Sequence, residues 1–202
     1  WNSKKTSWWK EMIEFKLKEI GEVLDYEQPT KYIVSSIKYD KSYLTPVLTA
    51  GKSFILGNTN EKNGVYEKGP VIIFDDFTTT SHFVNFKFKV KSSAMKMLTP
   101  KDKNIDLKYV YYFMQNINFN ATMHKRYYLS RYSKIKIPVP SFSVQKKIVA
   151  ILEKVENLKD KRKESNVLTS IYLESLFLEK FGDPKNPNNP HTFLGEIMNF
   201  KS

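Results

Sequence analysis

The sequence predicts an α+β fold, in which a twisted, mostly antiparallel β-rich domain is followed by a long projecting α-helix. Three observations predict it. Short apolar runs broken by turn residues fill residues 25–140, the texture of a twisted sheet. Phe86-Lys87-Phe88-Lys89-Val90-Lys91 alternates strictly, as a half-buried strand does. From about Val144 to Phe181 a helical pattern runs for about 38 residues without a Gly or Pro.

Residues 1 to about 14 are polar, carry Trp1, Trp8 and Trp9, and read as an irregular or helical lead-in. Phe15 to Ile20 alternates like a short strand, and Gly21 breaks it. Pro46-Val47-Leu48, Phe54-Ile55-Leu56, Val71-Ile72-Ile73-Phe74 and Phe86 to Val90 follow as candidate strands. Gly57-Asn58-Thr59-Asn60, Asn63-Gly64 and Lys68-Gly69-Pro70 supply turns between them. The alternation at 86–91 predicts Lys87, Lys89 and Lys91 on one face and Phe86, Phe88 and Val90 on the other. Leu107, Val110, Tyr111 and Met114 stand at helical spacing, so a helix is expected from Leu107 to about Asn116.

Pro138-Val139-Pro140 closes this region, and Ser141 or Ser143 is the expected N-cap of the long helix. At about 1.5 Å per residue that helix is roughly 57 Å long, too long for the preceding domain to cover. Ile148, Ile151, Val155 and Leu158 occupy heptad a and d positions. The same register continues through Arg162, Ser165, Thr169, Tyr172, Leu176 and Glu179, so the middle of the seam is polar. An alternative is a helix folded in two near Glu164-Ser165-Asn166, weak helix formers. Gly182-Asp183-Pro184 ends the pattern, and the Pro- and Asn-rich stretch to Pro190 reads as a linker. Leu194-Gly195-Glu196-Ile197 then matches Leu17-Lys18-Glu19-Ile20 at three of four positions, as if a second copy of the first domain opened there and were cut short. The expected division is a domain over 1–140, a helix over 141–182, and a linker with that second opening over 183–202.

The 202 residues carry 33 Lys and Arg against 21 Asp and Glu, a net charge of +12. Between Phe77 and Leu152 stand fourteen basic residues against two acidic ones, Asp102 and Asp106, a surplus equal to that of the whole chain. A solvated surface intersperses both signs, so a one-sided block points to phosphates. The absence of Cys excludes disulfides, thiolate zinc sites and cysteine nucleophiles, and suits a reducing cytoplasm. No apolar run of about 18 residues is present, so no transmembrane helix is expected; of the polyanions that such a charge suits, nucleic acid ranks before an anionic membrane, and no membrane partner is expected. The first residue is Trp1 rather than Met, so a natural start upstream is expected.

Catalytic patterns are scarce. His82, His124 and His191 lie too far apart to read as a metal cluster. Asp75-Asp76 could hold Mg²⁺ at a strand end, but no further acidic residue and Lys follow at nuclease spacing, and a capped turn explains the pair. Gly51-Lys52-Ser53 resembles the tail of a phosphate loop, but Pro46 stands where the earlier Gly is required. Asn186-Pro187-Asn188 lacks the second Pro and the aromatic of an amino-methyltransferase motif. Binding patterns are richer. Met123 to Lys134 interleaves Lys125, Arg126, Arg131 and Lys134 with Tyr127, Tyr128 and Tyr132, and Lys91-Ser92-Ser93-Ala94-Met95-Lys96 is a second such stretch. Arg can clamp phosphate or read guanine, while Tyr and Ser add neutral contacts. At least one tyrosine ring is expected to be buried.

The sequence resembles one half of the specificity subunit of type I restriction-modification enzymes. Five stretches carry the resemblance: Leu17 to Val23; Tyr39-Asp40 with Pro46 to Gly57; Phe74-Asp75-Asp76-Phe77 with Phe88 to Ala94; Ile137-Pro138-Val139-Pro140 leading to Gln145-Lys146-Lys147-Ile148-Val149; and Leu176 to Pro184. Together they span nearly the whole chain. The resemblance implies that residues 1–140 are a target recognition domain and 141–182 a spacer and dimerisation helix. Two such domains would each read half of a split site in double-stranded DNA. The long helices would set their spacing and dock methyltransferase subunits, which hold S-adenosylmethionine. A separate motor subunit would cleave DNA, and the whole would act in host defence.

On this reading the chain is non-catalytic and holds no cofactor of its own. The expected DNA contacts are Lys91, Ser92, Ser93, Lys96, Lys125, Arg126, Tyr127, Arg131 and Lys134, with Lys52 and Thr79 at the margin. Ile148, Ile151, Val155, Leu158, Arg162, Tyr172 and Leu176 form the helix seam of an expected homodimer. The competing readings are a stand-alone DNA-modifying or DNA-cleaving enzyme and a non-specific DNA-binding scaffold.

Overall fold

The computed structural model describes residues 15–49, 53–118, 126–183 and 185–186. They divide into two compact units between Ile151 and Leu152.

The first unit is built on three sheets. β1 (Lys16–Glu19) pairs antiparallel with β9 (Lys136–Val139) in a two-stranded ribbon. β2 (Leu24–Glu27), β8 (Met95–Pro100), β5 (Val71–Asp75) and β6 (Ser81–Val84) form an antiparallel four-stranded sheet in that order. β4 (Ile55–Thr59), β3 (Thr45–Leu48) and β7 (Lys89–Val90) form the third, with β7 running parallel to β3. The one-turn helix α1 (Ile20–Val23) links β1 to β2, α2 (Leu107–Gln115) follows β8, and α3 (Phe142–Phe181) follows β9.

Every residue of β5 is buried, which is why its sequence is a continuous apolar run rather than an alternation. Successive side chains point to opposite faces. Val71 and Ile73 join Met95, Met97, Val84, Phe88 and Val90 in one core cluster. On the other face Phe74 meets the rings of Tyr128 and Tyr132, at centroid distances of 5.4 and 4.6 Å. Each such side chain taken fully out of water contributes about 1.5–3 kcal/mol.

The strands expected at Phe15–Ile20, Pro46–Leu48 and Val71–Phe74 are present within a residue or two. The strand expected over Phe86–Val90 shrinks to Lys89–Val90, and its facing is corrected. Lys87 is exposed, whereas Lys89 is only 3% exposed and is paired with Glu61 at 2.8 Å. A charge drawn from elsewhere in the chain lets a lysine sit where the alternation predicted solvent. β2, β6, β8 and β9 are not among the expected strands. Pro138 in β9 is tolerated because the ribbon leaves that strand an edge.

α2 is capped by Asp106, whose carboxylate accepts the N–H groups of Lys108 and Tyr109 at 2.9 and 3.1 Å. α3 is unbroken over 40 residues, so the fold-back at Glu164–Asn166 does not occur. Thr169 and Ser170 donate to the carbonyls of Ser165 and Asn166, at 2.8 and 3.0 Å, which satisfies their hydroxyls without breaking the helix. Gly182, at φ 75, ends it by donating to Leu178 O at 2.9 Å. Val144, Gln145 and Val149 are buried, so the first turns of the helix belong to the β-rich unit.

The second unit is described by the remainder of α3, where Leu152, Glu153 and Leu176 are half-buried and every other helical residue is exposed. Ile151, Val155 and Leu158 lie along one stripe and are exposed, Leu158 at 66%. Past Glu164 the pattern changes: Val167, Leu168, Ile171, Tyr172, Leu173 and Phe177 are exposed on most sides of the axis, not along the single expected seam. The lead-in of residues 1–14 and the expected second opening at Leu194–Ile197 lie outside the described residues.

Candidate nucleic-acid interface

The register of the four-stranded sheet decides which basic segments meet. Asp75, at the end of β5, is opposite Met95, at the start of β8. The β5–β6 turn (Asp76 to Thr80) and the loop Lys91–Ala94 therefore lie at the same end of the sheet. A third segment joins them there, because Tyr127 donates its N–H to Asp76 O at 2.9 Å and Tyr128 its N–H to Asp76 Oδ1 at 2.8 Å. Three stretches, two of them bonded across 52 positions of sequence, thus converge at one end of the sheet.

The turn is shaped by Asp75, whose Oδ1 accepts the N–H of Phe77 at 2.8 Å and of Thr78 at 3.3 Å. Thr79 has φ 60, a left-handed conformation that a β-branched residue rarely holds. The Thr79 N–H donates to Asp75 O at 2.9 Å and secures the strained position. A groove of about 240 Å³ lies between this turn and α2, lined by Thr78, Thr79, Thr80 and Ser81 with Gln115 and Met114. Gln115 donates to Ser81 O and Oγ at 3.0 and 2.9 Å, fixing one wall.

The other expected contacts fall into three groups. Lys91, Ser93, Arg126, Arg131 and Lys134 are exposed, and Ser92 is half-buried with its Oγ accepting the Ala94 N–H at 3.4 Å. Lys91 stands 6.0 Å from the Tyr39 ring centroid. Arg131 is held near these segments by its N–H, which donates to Tyr127 O at 3.0 Å; Lys134 lies one turn further on, next to Ser133, which leaves little room for a Cβ at Gly21.

Two residues leave the contact set. Lys96 is 4% exposed and Tyr127 5%, so neither side chain reaches a phosphate. Lys96 Nζ faces Asp76 Oδ2 at 3.6 Å, and an ammonium cannot be buried without such a partner. Lys52, His124 and Lys125 lie outside the described residues.

The basic block is also less one-sided in space than in sequence. Lys87 pairs with Glu67 at 2.9 Å, Lys89 with Glu61, Lys96 with Asp76, and Lys101 with Asp25 at 3.7 Å. All four acids lie outside the 77–152 stretch, so counting along the sequence could not see them. The Glu61 carboxyl is held below the usual carboxylate range by its bond to Lys89, aided by the N–H groups of Ser36 and Ser35. Sequence reasoning set Asp75-Asp76 aside as a capped turn, which Asp75 is, and missed Asp76 as the anchor of the Arg126 segment. Two adjacent acids ending an apolar run in a basic domain were the available signal.

Among the described residues, no group of three or more His, Asp or Glu is placed to hold a metal ion. His82 is stacked on Phe54 at 4.0 Å, and burial holds its pKa below the ordinary value. No helix among the described residues is long and apolar enough to cross a membrane.

A β-rich unit with basic segments gathered at one end of its central sheet, running into a long helix, is the class that fold and site define. The chain belongs to the family of type I restriction modification DNA specificity domains, whose model matches residues 10–169. It is 51% identical over 154 residues to the type I restriction enzyme EcoR124I/EcoR124II specificity subunit of Escherichia coli, covering 70% of this chain and 38% of that protein. In fold it is similar to the type I restriction-modification S subunit of M. genitalium, with a TM-score of 0.57, 21% identity, and coverage of 84% of this chain and 47% of that one. The HsdS subunit of Thermoanaerobacter tengcongensis matches with a TM-score of 0.53 and 18% identity over 80% of this chain and 42% of that one. The chain thus spans less than half the length of each of these relatives.

Proposed function

We propose that this chain is a non-catalytic DNA-recognition half of a type I specificity subunit, reading one half of a split target in double-stranded DNA. The observation that carries the reading is the convergence of the Thr79 turn, the Lys91–Ser93 loop and the Arg126–Arg131 segment at one end of the four-stranded sheet. Strand-end loops held on a rigid sheet can enter the major groove, while exposed Lys and Arg around them hold phosphates. Arg126, Arg131, Lys91 and Lys134 are the cations assigned to DNA, with Ser92, Ser93 and Thr79 as neutral contacts; Lys52 and Lys125 remain assigned from sequence.

The long helix is the protein-facing part. Ile151, Val155 and Leu158 would pair with the same stripe of a second copy, giving a homodimer with two recognition domains. The apolar residues on most sides of the helix past Glu164 support more than one protein neighbour. Methyltransferase subunits would dock there and bring S-adenosylmethionine, and the motor subunit would join the full complex. The site of action would be cytoplasmic DNA.

The test is fluorescence polarisation of the full chain with labelled duplexes from 50 to 200 mM salt, alongside incubation with DNA, Mg²⁺ and S-adenosylmethionine. Binding that weakens steeply with salt, with no cleaved or methylated product, is expected. Product formation by the chain alone would move the reading to an enzyme, and salt-insensitive or absent binding would remove DNA as the partner.

A further inference from the structure

The Asp76–Lys96 pair is buried at the end of the sheet where the three segments meet, each residue only 4% exposed. Asp76 makes three connections. Its Oδ2 faces Lys96 Nζ at 3.6 Å, its Oδ1 accepts the Tyr128 N–H, and its main-chain oxygen accepts the Tyr127 N–H. Lys96 in turn stands 5.0 Å from the Tyr26 ring centroid, and Tyr26 meets Tyr128 edge-on at 5.8 Å. The pair therefore links β8, the end of β5 and the segment that begins at Arg126.

Stability alone does not account for it. Burying two charges costs several kcal/mol each in desolvation, and an apolar pair of similar volume commonly serves as well or better. What an ion pair supplies that an apolar pair does not is a fixed geometry. Arg126 directly precedes the Tyr127 N–H that Asp76 holds, Arg131 is hydrogen-bonded to Tyr127 O, and Ser93 is three residues before Lys96.

We infer that Asp76 and Lys96 are positioning residues for sequence discrimination: the buried pair sets the Arg126–Arg131 segment against the Lys91–Ser93 loop so that both meet the bases of one target. This rests on the DNA-recognition reading above. Neither residue touches DNA. Removing the pair disturbs how well the correct sequence is told from others, while the chain keeps every exposed cation assigned to DNA.

The experiment compares wild type with the double variant Asp76→Asn, Lys96→Met, and with Lys96→Met alone, in the full chain. Circular dichroism reports the fold. Polarisation reports affinity for a duplex selected by the wild type and for a scrambled duplex, each over a salt series. The expected result is a folded double variant whose preference for the selected duplex falls at least tenfold, with its affinity for scrambled DNA and its salt slope unchanged. Preference within twofold of wild type overturns the inference. So does failure of both variants to fold, which would make the pair a requirement of the fold. A wild type that itself shows no preference would instead sink the recognition reading, so the two failures are distinct.

Discussion

Gln145 Oε1 accepts the backbone N–H of Asp106 at 2.9 Å, across 39 positions of sequence. The same buried amide donates to Asn104 O and Pro140 O at 3.0 and 2.9 Å. One side chain thus joins the first turn of α3, the end of β9 and the cap of α2. This gives a physical reason for a glutamine shortly after the Pro138-Val139-Pro140 stretch. Gln145→Glu would keep the acceptor but set a carboxylate oxygen against two carbonyls. Urea unfolding should show a loss of about 2–4 kcal/mol, larger than for Gln145→Ala. Equal stability of Gln145→Glu and wild type would remove the amide from this role.

His82 predicts an acid sensitivity. Burial against Phe54 holds its folded-state pKa below the ordinary 6.5, so the unfolded chain binds the proton more readily. The stability this histidine allows is full above about pH 6.5 and declines as pH falls towards its lower folded-state pKa. Thermal midpoints at pH 7.5 and 5.5 should fall further for wild type than for His82→Gln. Parallel shifts in the two proteins would contradict it.

Arg126→Ala and Arg131→Ala should each weaken DNA binding without lowering the thermal midpoint, because both side chains are exposed. If each meets a phosphate, the slope of log affinity against log salt should fall by about one per substitution. An unchanged slope and unchanged affinity in both variants would sink the assignment.

The exposed stripe on α3 predicts self-association. Light scattering of the full chain should report twice the mass of one copy, and Leu158→Lys should shift it towards one. A wild-type monomer at micromolar concentration would contradict a dimer built on Ile151, Val155 and Leu158.

The long helix, the apolar central strand and α2 were legible because each depends on local pattern: unbroken helical spacing, a continuous apolar run, and apolar residues at helical spacing from Leu107. Long-range electrostatics were not legible. Lys89 and Lys96 look like their exposed neighbours in sequence, and only the approach of Glu61 and Asp76 makes them interior residues. β8 escaped notice because Met95-Lys96-Met97 lacks β-branched residues and carries a lysine that the fold buries. The convergence of the three basic segments depends on the pairing of β5 with β8, a register that turn residues do not specify.

Selection of duplexes from a random-sequence pool by the full chain tests sequence-specific recognition most directly. After several rounds at about 150 mM salt, one short motif should dominate the bound DNA, and the same chain with Arg126→Ala should enrich it less. A bound pool whose sequences stay as random as the input would contradict the account.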